Sequence, residues 1–174
     1  MSIGAIGRFE PRGKLTLAPE SHIEIDIAGG DPGQFDSIAS NSPIAIDGSL
    51  NLAITGWDPS DPCISIPILT GSVITGEFHA VTIDSPEPPA GRVWRLDYEL
   101  NKVSLRLTCA ADLNGDCVVD DRDFLRFVTA YNLLDCADPA MPQNCPSDLN
   151  HDGVVDDADF TIWIVAYNAL ICAE

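Results

Sequence analysis

The sequence predicts a mixed fold class. Residues 1–108 read as an all-β domain, either a sandwich or the end of a β-solenoid, and residues 109–174 as a small α-helical domain with two loop–helix units. Three observations predict it. Apolar and polar residues alternate along the first part, as they do in half-buried strands. Apolar residues at helical spacing occur only after Cys109. An acidic thirteen-residue phrase, DLNGDCVVDDRDF from Asp112, returns 36 positions later as DLNHDGVVDDADF from Asp148.

The strands can be taken in order. SHIEIDIA puts Ile23, Ile25 and Ile27 on one face and His22, Glu24 and Asp26 on the other. GGDPGQ breaks the chain with turn residues. PIAIDGSLNLAIT reads as two short strands around Asp47-Gly48, a hairpin-type turn signal. ISIPILTGSVITGEFHAVTI continues in that style, punctuated by Gly71 and Gly76, and SPEPPAG is a Pro-rich loop. RVWRLDYELNKVSLRLT gives two strands around Asn101. After Cys109, Phe124, Phe127, Val128, Tyr131 and Leu134 fall at helical spacing, and Phe160, Trp163, Ile164 and Tyr167 repeat the pattern. Val128 and Ile164 are expected in the core. DCADPAMPQNCPS connects the two helices.

Charge narrows the function classes. The 174 residues carry 27 acids against 9 bases, a net charge of -18. From Cys109 onward there are 13 Asp or Glu and 2 Arg. Nucleic acid and anionic membrane surfaces repel such a chain, so neither is expected as a partner. No apolar run reaches the roughly 18 residues of a membrane span, so no membrane insertion is expected. Six cysteines, five of them from Cys109 onward, suggest a disulfide framework and an oxidising, extracellular or cell-surface location. Zinc is the competing use, but there is no Cys-x-x-Cys pair. The opening MSIGAIGRFEPRGK lacks the basic and apolar regions of a signal peptide, so Met1 is expected to be a mature start or the edge of a longer polypeptide.

The repeated acidic phrase has the spacing of oxygen ligands around a hard cation. With Asp112 as position 1, Asn114, Asp116, Asp120 and Asp123 occupy positions 3, 5, 9 and 12, and Val118 offers its carbonyl at position 7. The second loop offers Asp148, Asn150, Asp152, Val154, Asp156 and Asp159 in the same register. Six ligands of this kind suit Ca²⁺ better than Mg²⁺, which is small and keeps its waters. Two Ca²⁺ ions are therefore expected, and no other cofactor. The alternative is a pair of Asx-rich turns that only cap helices. Two departures stand out. Position 6 wants Gly, which Gly153 supplies and Cys117 does not, and position 12 is Asp rather than Glu.

The flanks lack the entering helix of an EF-hand: NKVSLRLTCAA and QNCPS lead into the loops. Two such units, each a loop with only an exiting helix, resemble the dockerin domain. The wording CAADLNGDCVVDDRDF followed by CPSDLNHDGVVDDADF resembles the cysteine-containing dockerin-like modules of large secreted proteins of planctomycete-type bacteria. The first part is more loosely similar to the end of autotransporter-type β-helix passengers. The resemblance implies a calcium-dependent docking module whose helix faces meet a cohesin-like partner. Asp121 with Arg122, and Asp157 with Ala158, match the usual recognition pair, and the Ser/Thr pair often found there is absent.

The cysteines follow the repeat. Cys109 and Cys145 precede the loops, while Cys136 and Cys172 follow the helices. Cys136–Cys145 with Cys109–Cys172 is the preferred pairing, Cys109–Cys136 with Cys145–Cys172 the alternative, and Cys63–Cys117 would use the remaining two. No catalytic constellation is visible, since His22, His79 and His151 are scattered. The expectation is an extracellular, non-catalytic docking or anchoring module. The alternatives are a self-assembling surface or fibre subunit, forming homo-oligomers or filaments of this chain, and a dockerin-tagged polysaccharide-binding or polysaccharide-degrading component.

Overall fold

The computed structural model describes residues 6–56, 65–86, 88, 91–142, 145–150 and 152–169. The chain divides into two compact units, residues 1–88 with 94–107, and residues 89–93 with 108–174.

In the first unit, strands from successive coils lie on one another. The first coil supplies β1 (Arg8–Phe9), β2 (Leu15–Thr16) and β3 (His22–Ile27). The second supplies β4 (Ser37–Ala39), β5 (Ile44–Ile46) and β6 (Ser49–Ile54), and the third supplies β7 (Ser65–Thr70), β8 (Ile74–Gly76) and β9 (Ala80–Asp84). β3, β6 and β9 pair in parallel, as do β2, β5 and β8, and as do β1, β4 and β7. Parallel register stacks like on like. Ile25 lies beside Leu52 and Leu52 beside Ile83, while Leu15, Ile44 and Ile74 form a second aliphatic ladder. These inward residues make one core, in which Ile25, Ile44, Leu52 and Ile68 are fully buried. Such a coil is a solenoid, and its parallel pairing excludes the sandwich.

A long antiparallel pair follows. β10 (Arg92–Tyr98) and β11 (Lys102–Cys109) extend the sheet of β1, β4 and β7, with β11 antiparallel to β7. Trp94, Leu96 and Tyr98 pack on the aliphatic core, and the Trp94 indole donates to Ser85 Oγ at 3.1 Å.

The hairpin expected at Asp47-Gly48 is corrected. β5 and β6 belong to different sheets and do not pair, so this turn is a corner of the coil. Gly48 has φ 84, and a Cβ there would lie 2.3 Å from the Ser21 carbonyl of the coil below. The same left-handed glycine serves a hairpin or a corner. The neighbouring coil, far away in sequence, decides which.

The expected small α-helical domain with two loop–helix units is also corrected. Among the described residues strands predominate, and only two helices occur. The helices are α1 (Asp121–Tyr131) and α2 (Asp157–Ala169). Turns, bends and extended segments form most of the rest of the second unit. Its helical spacing spans only three turns at a time, and Pro139, Pro142 and Pro146 keep the connector out of a helix.

The core of the second unit is aromatic. Phe127 and Trp163 are 2 % exposed, and Val119, Val155, Ala130 and Ala166 close around them. Trp163 stacks on Tyr167 at 4.9 Å between ring centroids and lies 5.2 Å from Phe124. Its indole donates to the Ala111 carbonyl at 3.2 Å. Val128, expected in the core, stands at the surface at 36 % exposure, while Ile164 is half-buried against the cluster. The buried stripe runs through Phe127 and Ala130, one position away from Val128 around the helix.

Candidate functional site

Both acidic loops fold on the same hydrogen-bond frame. In the first, Asp123 is at the third position of α1, with Asp120 as its N-cap. Asp120 Oδ1 accepts from Arg122 N at 2.8 Å, and Asp123 Oδ2 accepts from Asp120 N at 2.9 Å, a reciprocal capping box. The other oxygen of Asp123 accepts from Leu113 N and Asn114 N at 2.8 and 2.9 Å. Asp112 Oδ1 accepts from Gly115 N at 2.7 Å, and its Oδ2 accepts from Thr108 Oγ1 at 2.8 Å and Cys117 N at 3.2 Å. Asn114 and Asp116 form successive Asx turns, with Asp116 Oδ1 accepting from Val118 N at 3.0 Å.

The second loop repeats the bonds of the last Asp and of the helix N-cap, and most of the rest. Asp159 accepts from Leu149 N, Asn150 N and Asp156 N at 2.7, 3.1 and 2.9 Å. Asp148 accepts from Asp152 N and Gly153 N, and Asp152 Oδ1 accepts from Val154 N. Asp156 accepts from Ala158 N at 2.7 Å, where Asp120 meets Arg122 in the first loop. The sequence-predicted side chains of each loop are thus brought together, and their bonds also satisfy the alternative of helix-capping Asx turns.

Burial distinguishes the ends of each loop from the middle. Asp112, Asp123 and Asp159 are 0 % exposed and Asp148 8 %. Burial pushes the Asp123 carboxyl above its ordinary range, against its three backbone donors, and the charge of Asp112 adds to the push. Asp116 moves the other way, below its ordinary range, held chiefly by the Val118 amide with help from Asn114 and Arg122. The donor set is hard oxygen throughout. After three amide bonds, Asp123 and Asp159 retain acceptor capacity for one further partner. These residues therefore fit an oxygen-seeking divalent cation.

At position 6, Cys117 adopts φ 73 and Gly153 φ 91, so both loops make the same left-handed turn. Cys109 and Cys117 each take part in a disulfide whose partner lies outside the described residues. Cys136 and Cys145 are joined to one another, the bond expected there, which rules out Cys109–Cys136 with Cys145–Cys172. Cys63, Cys172 and His151 lie outside the described residues, so Cys109–Cys172 and Cys63–Cys117 do too. Cys136 Sγ comes within 3.6 Å of Asp148 Oδ2. A bonded sulfur carries no proton and no thiolate charge, so this is a packing contact rather than a metal cluster.

Several site partners were not expected from sequence. Thr108, on β11, orients Asp112. Arg122 reaches Asp116 at 3.5 Å, and Ala158 has no counterpart group. The segment after α1 pairs with the second loop: Val155 N donates to the Leu134 carbonyl at 2.7 Å and Cys136 N to the Gly153 carbonyl at 3.1 Å. The 36-residue offset was a usable signal for the helix contacts, since Tyr131 and Tyr167 obey it. Of the histidines, His22 meets Ser49 and His79 meets Asp47, both at the surface.

No family model matches the chain, and no curated protein matches it.

Proposed function

We propose that this chain is a non-catalytic extracellular docking module whose second unit is set by two Ca²⁺ ions. The observation that carries the reading is the pair of buried carboxylates in one short loop, Asp112 and Asp123, repeated as Asp148 and Asp159. Like charges held together out of water favour a bound counter-charge. Asp112, Asn114, Asp116, Asp120, Asp123 and the Val118 carbonyl would hold one ion, and Asp148, Asn150, Asp152, Asp156, Asp159 and the Val154 carbonyl the other. Bound calcium supplies charge compensation and crosslinks each loop to the first turn of its helix.

The resemblance of the loops to dockerin wording supports a docking role. So do exposed apolar side chains on the helices, above all Leu125 at 66 % and Val165 at 60 %. A cohesin-like protein is the first partner to test, and a second copy of the chain is the alternative. Size-exclusion chromatography with light scattering, in chelator and then in millimolar Ca²⁺, with calorimetry of the titration, tests both. Two bound ions on a compact monomer support docking to a foreign partner. Calcium-driven growth into larger particles would instead favour self-assembly, and absence of calcium binding would remove the proposal.

A further inference from the structure

The second acidic loop hangs from two points that one disulfide holds together. Its first ligand position is anchored on Cys145, whose carbonyl accepts from Asp148 N at 3.0 Å. Its middle is anchored on the segment after α1, through Cys136 N to the Gly153 carbonyl and Val155 N to the Leu134 carbonyl. An antiparallel bridge between Asp135 and Val154 lies between these bonds. Cys136 and Cys145 are nine residues apart in sequence, and their Cα atoms are 5.5 Å apart. The chain between them carries Pro139 and Pro142 and no helix or strand among its described residues. The disulfide is thus the short connection between the two supports of the loop.

We infer that the Cys136–Cys145 disulfide presets the Asp148–Asp159 loop for its cation, so that calcium affinity at this loop and the redox state of the bond are coupled. The inference rests on the calcium reading of the loops. Without the bond, the two supports are joined only through the connector, and binding must also order them. Linkage makes the effect reciprocal: the factor by which the bond tightens calcium is the factor by which calcium favours the bond. Opening it is a two-electron step. A dithiol reductant donates two electrons and two protons, Cys136 and Cys145 become thiols, and the sulfurs of the reductant join in a new disulfide.

Calcium titration calorimetry of the full-length oxidised chain and of its Cys136→Ser/Cys145→Ser variant tests one direction. One of the two sites is expected to weaken by about tenfold or more, with the other unchanged. Equilibration of the native chain in dithiol redox buffers, with and without calcium, tests the other and does not depend on the variant folding. Alkylation and peptide mapping follow Cys136 and Cys145 separately from the remaining cysteines. A tenfold coupling lowers their midpoint potential by about 30 mV when calcium is present. Two calcium ions bound with unchanged affinities in the variant, or a midpoint indifferent to calcium, would overturn the inference and leave the calcium reading standing. A native chain that binds no calcium would overturn both.

Discussion

The phenol of Tyr131, in the last turn of α1, donates to Asp157 Oδ1 at the start of α2, at 2.6 Å. The relationship recurs under the internal repeat, with Tyr167 of α2 donating to Asp121 Oδ1 at the start of α1, at 3.2 Å. Each helix thus pins the first turn of the other, and the pair runs antiparallel. The carboxylates at these helix N-termini also complement the positive ends of the helix dipoles.

The two bonds make the tyrosines poor acids. Hydrogen bonding to the aspartate comes first and its negative charge second in raising Tyr131 and Tyr167 above the ordinary 10.0, and burial raises Tyr98. The chain has three tyrosines, so none should ionise normally in the native state. A spectrophotometric titration is expected to show all three midpoints above 10.0, returning to it in denaturant. The folded state holds these protons more tightly than the unfolded state does. The associated stability is therefore fully present below the unfolded midpoint and is lost as pH rises through the folded ones.

Gly153→Ala should cost about 1–2 kcal/mol, because φ 91 is unfavourable for a residue with a Cβ. Nothing lies within 4 Å of a Cβ built there, so the cost is conformational rather than steric. Denaturant unfolding without calcium measures it. A loss well beyond that range would mean that the loop cannot make its turn without glycine.

Trp163→Ala should remove about 3–5 kcal/mol. The indole is 2 % exposed, touches Phe124, Phe127, Phe160 and Tyr167, and loses its bond to the Ala111 carbonyl. Hydrogen exchange should show the loss in α1 and α2. Protection unchanged in both helices would contradict the assigned core.

If both loops bind calcium, saturation at about 100 times Kd adds about 2.7 kcal/mol per site, and chelation removes it. Asp123→Asn and Asp159→Asn should each abolish one increment, because the neutral amide gives up charge at a buried position. Thermal unfolding of each variant across a calcium series reads this directly. Equal calcium response in variant and native chain would argue that the aspartates serve only as caps.

Legibility in the sequence followed the range of the determining interaction. The inward set Ile23, Ile25 and Ile27 was readable because strand alternation is local, and all three are buried. The acidic residues of each loop could be grouped because their frame closes within twelve positions. The partner of a strand could not be read: Asp47-Gly48 looks the same whether the next strand folds back or climbs to another coil. Fold class failed for a related reason. Short helical spacings were extended into a helical domain, although prolines and acidic turns occupy most of the surrounding chain. Thr108 escaped notice because it carries no pattern of its own, and Leu134 was grouped with the helical spacing although α1 ends at Tyr131; each acts through one bond to a loop.

The ladder of Ile25, Leu52 and Ile83 has a consequence for how the first unit comes apart. Each coil touches only those above and below, so its stability is a sum along one dimension. Among the described residues, β6 has a strand on each side, whereas β3 and β9 each have one within their sheet. Within this sheet loss of structure therefore begins at β3 or β9 and advances rung by rung toward β6, while β11 covers the third coil at β7.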